Sequence, residues 1–278
     1  MRFYSLISSL ILSVFLLFIS GSESVRTLKR LTVRSGGSLS VPCLYEEKYK
    51  SDIKYWCTLF KSIFGNSCGT TTYANTSNTG ISVTDHPSQN ICAMDLNNLQ
   101  DSDSGNYWCG MEIDGQDDGD SVYLTVSEDP VVWVEDTRVI GQEGGGVSVQ
   151  GFYSSEYNDK EKKWCRFGVW SCYYVGRTKT SQSLEVLISD YSQGSFRVEM
   201  FGLQKSDAGW YWFSAGLVGV TVHLTVTERP TMETLTSSSR KDTKTSTQTV
   251  ETRNTLVKTT LPYSEKPMES VEFCIAQN

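Results

Sequence analysis

Apolar and polar residues alternate along most of this chain in short runs. Leu39-Ser40-Val41 leads into Cys43, and Ile53 to Cys57 follows. Then come Ile81-Ser82-Val83, the every-second-residue set Cys92, Met94 and Leu96, Tyr107-Trp108-Cys109, and Val122 to Val126. Turn-forming Gly, Ser, Asn and Asp separate the runs. A period of two predicts strands with one buried face, and this spacing does not fit strands alternating with long helices. The order then repeats with Val147-Ser148-Val149, Lys163-Trp164-Cys165, Val186-Leu187-Ile188, Phe196 to Met200, Trp210 to Phe213 and Val220 to Val226. Both halves end alike, in Tyr123-Leu124-Thr125-Val126 and His223-Leu224-Thr225-Val226, which is the mark of a long internal repeat.

A sparse framework rides on this pattern. Cys43 lies thirteen residues before Trp56, and Asp103, Gly105, Tyr107 and Cys109 follow. In the second half Gly151 lies thirteen residues before Trp164, followed by Asp207, Gly209, Tyr211 and Phe213. A Cys, a Trp and an Asp-x-Gly-x-Tyr-x-Cys element on short strands predict an immunoglobulin-like sandwich. The fold class expected is therefore all-β: tandem V-type β-sandwiches followed by a disordered Ser/Thr-rich stalk. The expected divisions are 1–23 (signal peptide), 24–127 (first domain), 128–228 (second domain, lacking the core disulfide) and 229–278 (stalk and tail). The first follows from Met1-Arg2, the apolar run Phe3 to Ile19 and the small residues Ser20, Gly21 and Ser22. The last follows from fifteen serines and threonines between Pro230 and Pro262 with few large apolar side chains, a composition unable to bury a core. No second apolar stretch is long enough to span a bilayer, so the chain as written is expected to be secreted.

Eight cysteines in a secreted chain imply disulfides. Cys43 and Cys109 are expected to bridge the two sheets against Trp56, stabilising by roughly 4 kcal/mol in the chain-entropy model. Cys57 directly follows Trp56 and faces the other way, so its expected partner is Cys68 across the next hairpin. The second half keeps this clip as Cys165 and Cys172. Gly151 and Phe213 replace its core pair together. Either Phe213 lays its ring over Gly151 near Trp164, or the second sandwich is simply looser. Cys92 shares the parity of Met94 and Leu96 and reads as a buried free thiol, and Cys274 lies in the tail.

The run Lys54-Tyr55-Trp56-Cys57, the extra Cys68, and Asp101 to Gly110 resemble the V-type domains of the polymeric immunoglobulin receptor and CD300 (CMRF35-like) leukocyte receptors. Lys162 to Cys165 and Ser206 to Trp212 resemble the same motifs. Two such domains on a Thr-rich stalk are most similar to the fish members. The resemblance implies a plasma-membrane receptor of the immune system with extracellular domains, binding phospholipid headgroups or polymeric immunoglobulin. Three departures stand out: no membrane segment, no core bridge in the second half, and no Arg near Ile81 or Val186 to partner Asp103 or Asp207.

Charge and chemistry narrow the function. A net charge of -7 argues against nucleic acid as a bulk partner. Two histidines, His86 in a turn and His223 in a terminal strand, read as ordinary structural or surface residues, and no catalytic constellation emerges. The loop Met111 to Asp120 carries Asp114, Asp117, Asp118 and Asp120, which read as a calcium site, a solvated acidic surface or an attraction for a basic protein. Otherwise no cofactor is expected. In the clipped loop, Leu59, Phe60, Lys61, Ile63 and Phe64 are ligand-binding candidates, alone or partly packed on the sheet, with Tyr49 from the first variable loop. Lys160, Lys162, Lys163, Arg166, Arg177 and Lys179 suggest a basic face on the second half. Asn75-Thr76-Ser77 is an N-glycosylation acceptor. The function expected is ligand recognition by an immune-type receptor ectodomain, with homophilic adhesion to other cell-surface proteins as the alternative.

Overall fold

The structure is a computed structural model that describes residues 24–63, 65–78, 80–180 and 184–229. The expected signal peptide, Phe64, the stalk and Cys274 lie outside the described residues. The rest belongs to one compact unit that ends at Arg229.

The fold is all-β. The first half supplies β1 (Val25–Thr27), β2 (Arg30–Arg34), β3 (Leu39–Tyr45), β4 (Ile53–Ser62), β5 (Gly65–Tyr73), β6 (Thr76–Asn78), β7 (Ile81–His86), β8 (Ile91–Leu96), β9 (Gly105–Glu112) and β10 (Asp118–Ser127). The second half supplies β11 (Val132–Val134), β12 (Arg138–Gln142), β13 (Gly146–Tyr153), β14 (Lys162–Arg166) and β15 (Ser171–Tyr174). It continues with β16 (Gly176–Lys179), β17 (Glu185–Asp190), β18 (Ser195–Phe201), β19 (Gly209–Ala215) and β20 (Val218–Thr227). One outer sheet runs β1-β3-β8-β7-β6 and the other β11-β13-β18-β17-β16. The remaining strands form a single ten-stranded sheet, in which β2 of the first sandwich meets β20 of the second at Leu31 and Gly219.

Alternation sets what is buried. Val122, Leu124 and Val126 of β10 turn inward while Tyr123 stays exposed. Cys43 and Cys109 are bridged behind the buried Trp56, and Cys92 is a buried free thiol beside them. In the second sandwich the space over Gly151 is taken by Phe196 of β18, not by Phe213. A Cβ on Gly151 would overlap the Phe196 ring. Phe213 stacks on Phe196, and Trp164 stacks on Tyr211. Cys43, Cys92 and Cys109 thus correspond to Gly151, Phe196 and Phe213: Cys43 pairs across the sheet with Cys92, as Gly151 does with Phe196.

The Asp-x-Gly-x-Tyr element does the same work twice. Asp103 and Asp207 accept the backbone N–H of Gln100 and Gln204, closing a 3-10 turn. Tyr107 and Tyr211 donate their hydroxyls back to the carbonyls of Asp103 and Asp207. Asp207 does have an arginine partner. Arg166 of β14 places a guanidinium nitrogen 3.9 Å from it, from a strand the sequence comparison did not point to.

A second duplicated device was missed in the sequence. Lys54 and Lys162 are buried to 3% side-chain exposure and pair with Asp85 and Asp190 at 3.3 and 3.4 Å. Tyr45 and Tyr153 donate their hydroxyls to those same carboxylates, and each ammonium lies over the tyrosine ring. Each lysine also donates to a backbone carbonyl, of Lys50 or Asn158, just after a 3-10 turn. The lysine thereby ties the first variable loop to the core. The basic face expected on the second half is correspondingly reduced: Lys162 is internal, Arg166 sits beside Asp207, and Arg177 pairs with Glu185.

Candidate recognition cleft of the first sandwich

Two loops singled out separately in the sequence lie side by side. The clipped hairpin β4–β5 and the loop before β10 enclose a cleft of about 500 Å³ lined by Tyr55, Leu59, Asn66, Cys68, Trp108, Gly115, Gln116 and Asp117. This lies within the size range of small-ligand sites. Its walls are aromatic because two glycines make room. A Cβ on Gly110 would collide with the Tyr55 ring, and one on Gly119 with the Trp108 indole. Both rings can therefore lie flat across the neighbouring strand.

The hairpin is shaped by a β-bulge. Between the pairs Cys57–Thr71 and Leu59–Cys68, the single residue Thr58 faces both Gly69 and Thr70. The extra residue bends the strand and increases its twist. Thr58 Oγ1 accepts the Thr70 N–H at 3.2 Å, and the Cys57–Cys68 disulfide spans the bulge. Beyond it Leu59 turns toward the cleft, while Phe60 is 52% and Ile63 92% exposed. Lys61 is exposed among them. Tyr49, by contrast, is buried and donates its hydroxyl to Asp118 at 2.6 Å, so it supports the first variable loop from within.

The acidic residues divide into different tasks. Asp117 accepts the Tyr55 hydroxyl at 2.7 Å on the cleft wall. Burial, and then that carboxylate, push the Tyr55 phenol up to about 12. Asp118 accepts from Ser24, Tyr49 and the Gly119 N–H. Burial acts to raise its pKa, but these hydrogen bonds outweigh it and hold the carboxyl below the usual range. Asp120 accepts the Thr27 N–H at 2.9 Å and pairs with Lys29. Asp114 is exposed. Among the described residues, no group of three or more His, Cys, Asp or Glu is placed to hold a metal ion. Asn75 is exposed in a turn at φ 60°, and its side-chain oxygen accepts the Asp85 N–H. A larger groove of about 670 Å³ lies where the two sandwiches meet, lined in part by Arg30, Tyr123, Asp129, Tyr157 and Val218, and contains none of the ligand-binding candidates of the clipped hairpin or the acidic loop.

Residues 27–127 match the immunoglobulin V-set domain. The chain is similar to the polymeric immunoglobulin receptor of Rattus norvegicus, 27% identical over 191 residues, covering 64% of this chain and 24% of that protein. It is similar to CMRF35-like molecule 9 of Mus musculus, 32% identical over 114 residues, covering 40% of this chain and 34% of that protein. Among solved structures, the teleost fish polymeric Ig receptor ectodomain matches at 33% identity with a TM-score of 0.34, covering 74% of this chain and 100% of that one. The chain spans about a quarter of the length of the polymeric immunoglobulin receptors it matches. Among the described residues no helix is long and apolar enough to cross a membrane. The first sandwich is an immunoglobulin V-set domain, related at low identity to the polymeric immunoglobulin receptor and to the CD300 and CMRF35-like receptors.

Proposed function

We propose that this chain is the extracellular recognition part of an immune-type receptor, and that its first sandwich binds phospholipid membranes through the cleft and the apolar tip of the clipped hairpin. The observation that carries the reading is the pairing of an exposed apolar end, Phe60 and Ile63, with a polar aromatic cleft directly beside it. Burying one such side chain in an apolar phase is worth about 1.5–3 kcal/mol. The cleft suits the other part of the lipid. Tyr55 and Trp108 offer ring surfaces and Asp117 a negative charge for a headgroup ammonium. Lys61 stands on the same hairpin for the phosphate. Asn75, exposed and away from the cleft lining, carries an N-linked glycan in this reading.

Flotation of the glycosylated protein with phosphatidylethanolamine, phosphatidylserine or phosphatidylcholine vesicles, with and without calcium, tests the proposal. Capture is expected with an amine-bearing headgroup, reduced about tenfold or more by Ile63→Ser and weakened by Asp117→Asn. Capture that needs calcium would reassign the acidic loop to a bridging ion. No capture under any condition removes the lipid reading.

The second reading is recognition of polymeric immunoglobulin. It is favoured by the names of the relatives and by the extent of their similarity, 191 residues, which is longer than either sandwich. Binding of polymeric immunoglobulin without vesicle capture would select it. Self-association without either ligand would select homophilic adhesion.

A further inference from the structure

The two histidines of this chain lie against the same tryptophan, at the boundary between the sandwiches. Trp210 of β19 is buried, and its indole N–H donates to Ser40 Oγ of β3 at 2.9 Å. His86, at the end of β7 in the first sandwich, meets the indole edge-on at 5.1 Å. His223, on β20 in the second, meets it edge-on at 4.5 Å. Around this stack the boundary is closed by polar links. Thr221 donates to the Ser40 carbonyl at 2.7 Å, Thr137 to the Ser38 carbonyl at 2.8 Å, and Thr32 to the Val132 carbonyl.

We propose that His86, Trp210 and His223 form an acid-sensitive latch between the two sandwiches, closed while His223 is packed as a neutral imidazole against Trp210 and released when His223 takes up a proton.

The charged groups around the stack give the latch its sign. From β12, Arg138 is the cross-strand partner of His223. Asp95 of β8 is the nearby carboxylate, and Arg138 already engages it. Arg166 and Lys205 border the adjoining groove with Trp210, and they pair with Asp207 and Glu228. Asp85, next to His86, is taken by Lys54 and Tyr45. An imidazolium charge at His223 would therefore arise among cations and with no uncommitted carboxylate in this set. In the closed junction His223 is held below the ordinary histidine value, by burial first and then by Arg138, with Asp95 opposing. An opened junction binds that proton more tightly. Closure is at full strength above the ordinary histidine value and weakens as pH falls below it.

Each proton taken up on opening shifts the opening equilibrium by up to about tenfold per pH unit. The test is backbone amide exchange of the full chain at pH 7.5 and pH 5.0, corrected for intrinsic rates, read at Leu31, Thr32, Gly219 and Thr221. Parallel imidazole NMR holds only two signals. In the wild type, exchange at these amides is expected to accelerate at least tenfold at pH 5.0 while amides of the Trp56 core do not change. His223→Gln removes most of the acceleration. If His223→Gln fails to fold by circular dichroism, the wild-type His223 titration midpoint still decides: a midpoint not lowered from the ordinary histidine value overturns the latch. A junction equally protected at both pH values, or an acceleration that survives in His223→Gln, overturns the proposal.

Discussion

The two sandwiches share a framework and solve its centre with different chemistry. In the first, Cys43 and Cys109 are joined beneath Trp56 and the small Cys92 fits against them. In the second, Gly151 removes a side chain so that Phe196 can enter, and Phe213 stacks on it. One centre is held by a covalent link that limits the unfolded chain, the other by apolar area removed from water. The exchange involves three positions, because a ring large enough to replace the bridge needs the room that a glycine opposite leaves. The indole above each centre differs too. Trp56 N–H reaches the Cys92 carbonyl at 3.4 Å, whereas Trp164 N–H is buried without a hydrogen bond.

The clips have also parted in use. In the first sandwich the bridged cysteines are 11 residues apart on a long bulged hairpin that presents Phe60 and Ile63. In the second they are 7 apart on a tight turn. There Phe167 is buried, its N–H donates to the Trp210 carbonyl, and the turn lines a groove with Leu44 and Ile91 of the first sandwich. The same covalent device frames a candidate ligand surface in one half and supports the boundary between halves in the other.

The largest effects are expected at the two centres, and their near equality is the test of compensation. Replacing Cys43 and Cys109 together by Ala is expected to cost about 4 kcal/mol. Phe196→Ala is expected to cost a similar 3–5 kcal/mol, roughly, in urea unfolding of the full chain. A cost below about 1 kcal/mol for Phe196→Ala would mean that the second centre was never well packed. Restoring a bridge sharpens the comparison. Gly151→Cys with Phe213→Cys is expected to add two free thiols to those of the unaltered chain in a titration of the unfolded protein, because the Phe196 ring occupies the space, and with Phe196→Cys as well only one is expected to be added, because the bridge can then close. Next in size are the buried lysines. Lys54→Met and Lys162→Met each strand a largely buried carboxylate, at about 3 kcal/mol apiece. Unequal losses in the two unfolding curves would show that the duplicated device is no longer equivalent. The smallest contrast is at the indoles. Trp56→Phe is expected to cost about 1 kcal/mol more than Trp164→Phe, since only the former gives up a hydrogen bond.

Strand content and the twofold repeat were legible in the sequence because alternation reports directly which face of each strand is buried. The sandwich class followed from Trp56, Trp164 and the two Asp-x-Gly-x-Tyr elements. Much of the candidate site was not legible. Phe60 and Asp117 were singled out in separate loops, but nothing local says that Gly110 and Gly119 clear the way for Tyr55 and Trp108 between them. Lys162 looked like one member of a basic cluster. Its burial depends on Asp190, Tyr153 and the Asn158 carbonyl, supplied by three separate segments. Arg166 reaches Asp207 from β14, about forty residues away in the chain, so no local spacing marks the pair.

By itself the sequence determined the pleat, the repeat and the replacement of a cysteine pair by Gly and Phe. Each of these is written in the spacing of residues along one strand or between like strands. Only the tertiary structure decided that Phe196 fills the missing bridge, that hairpin and loop share one cleft, and that both histidines meet on Trp210. Those contacts join residues far apart in the chain, and they depend on register, on a bulge and on the packing of one sandwich against the other. A periodic pattern states which side of a strand is buried but not what buries it.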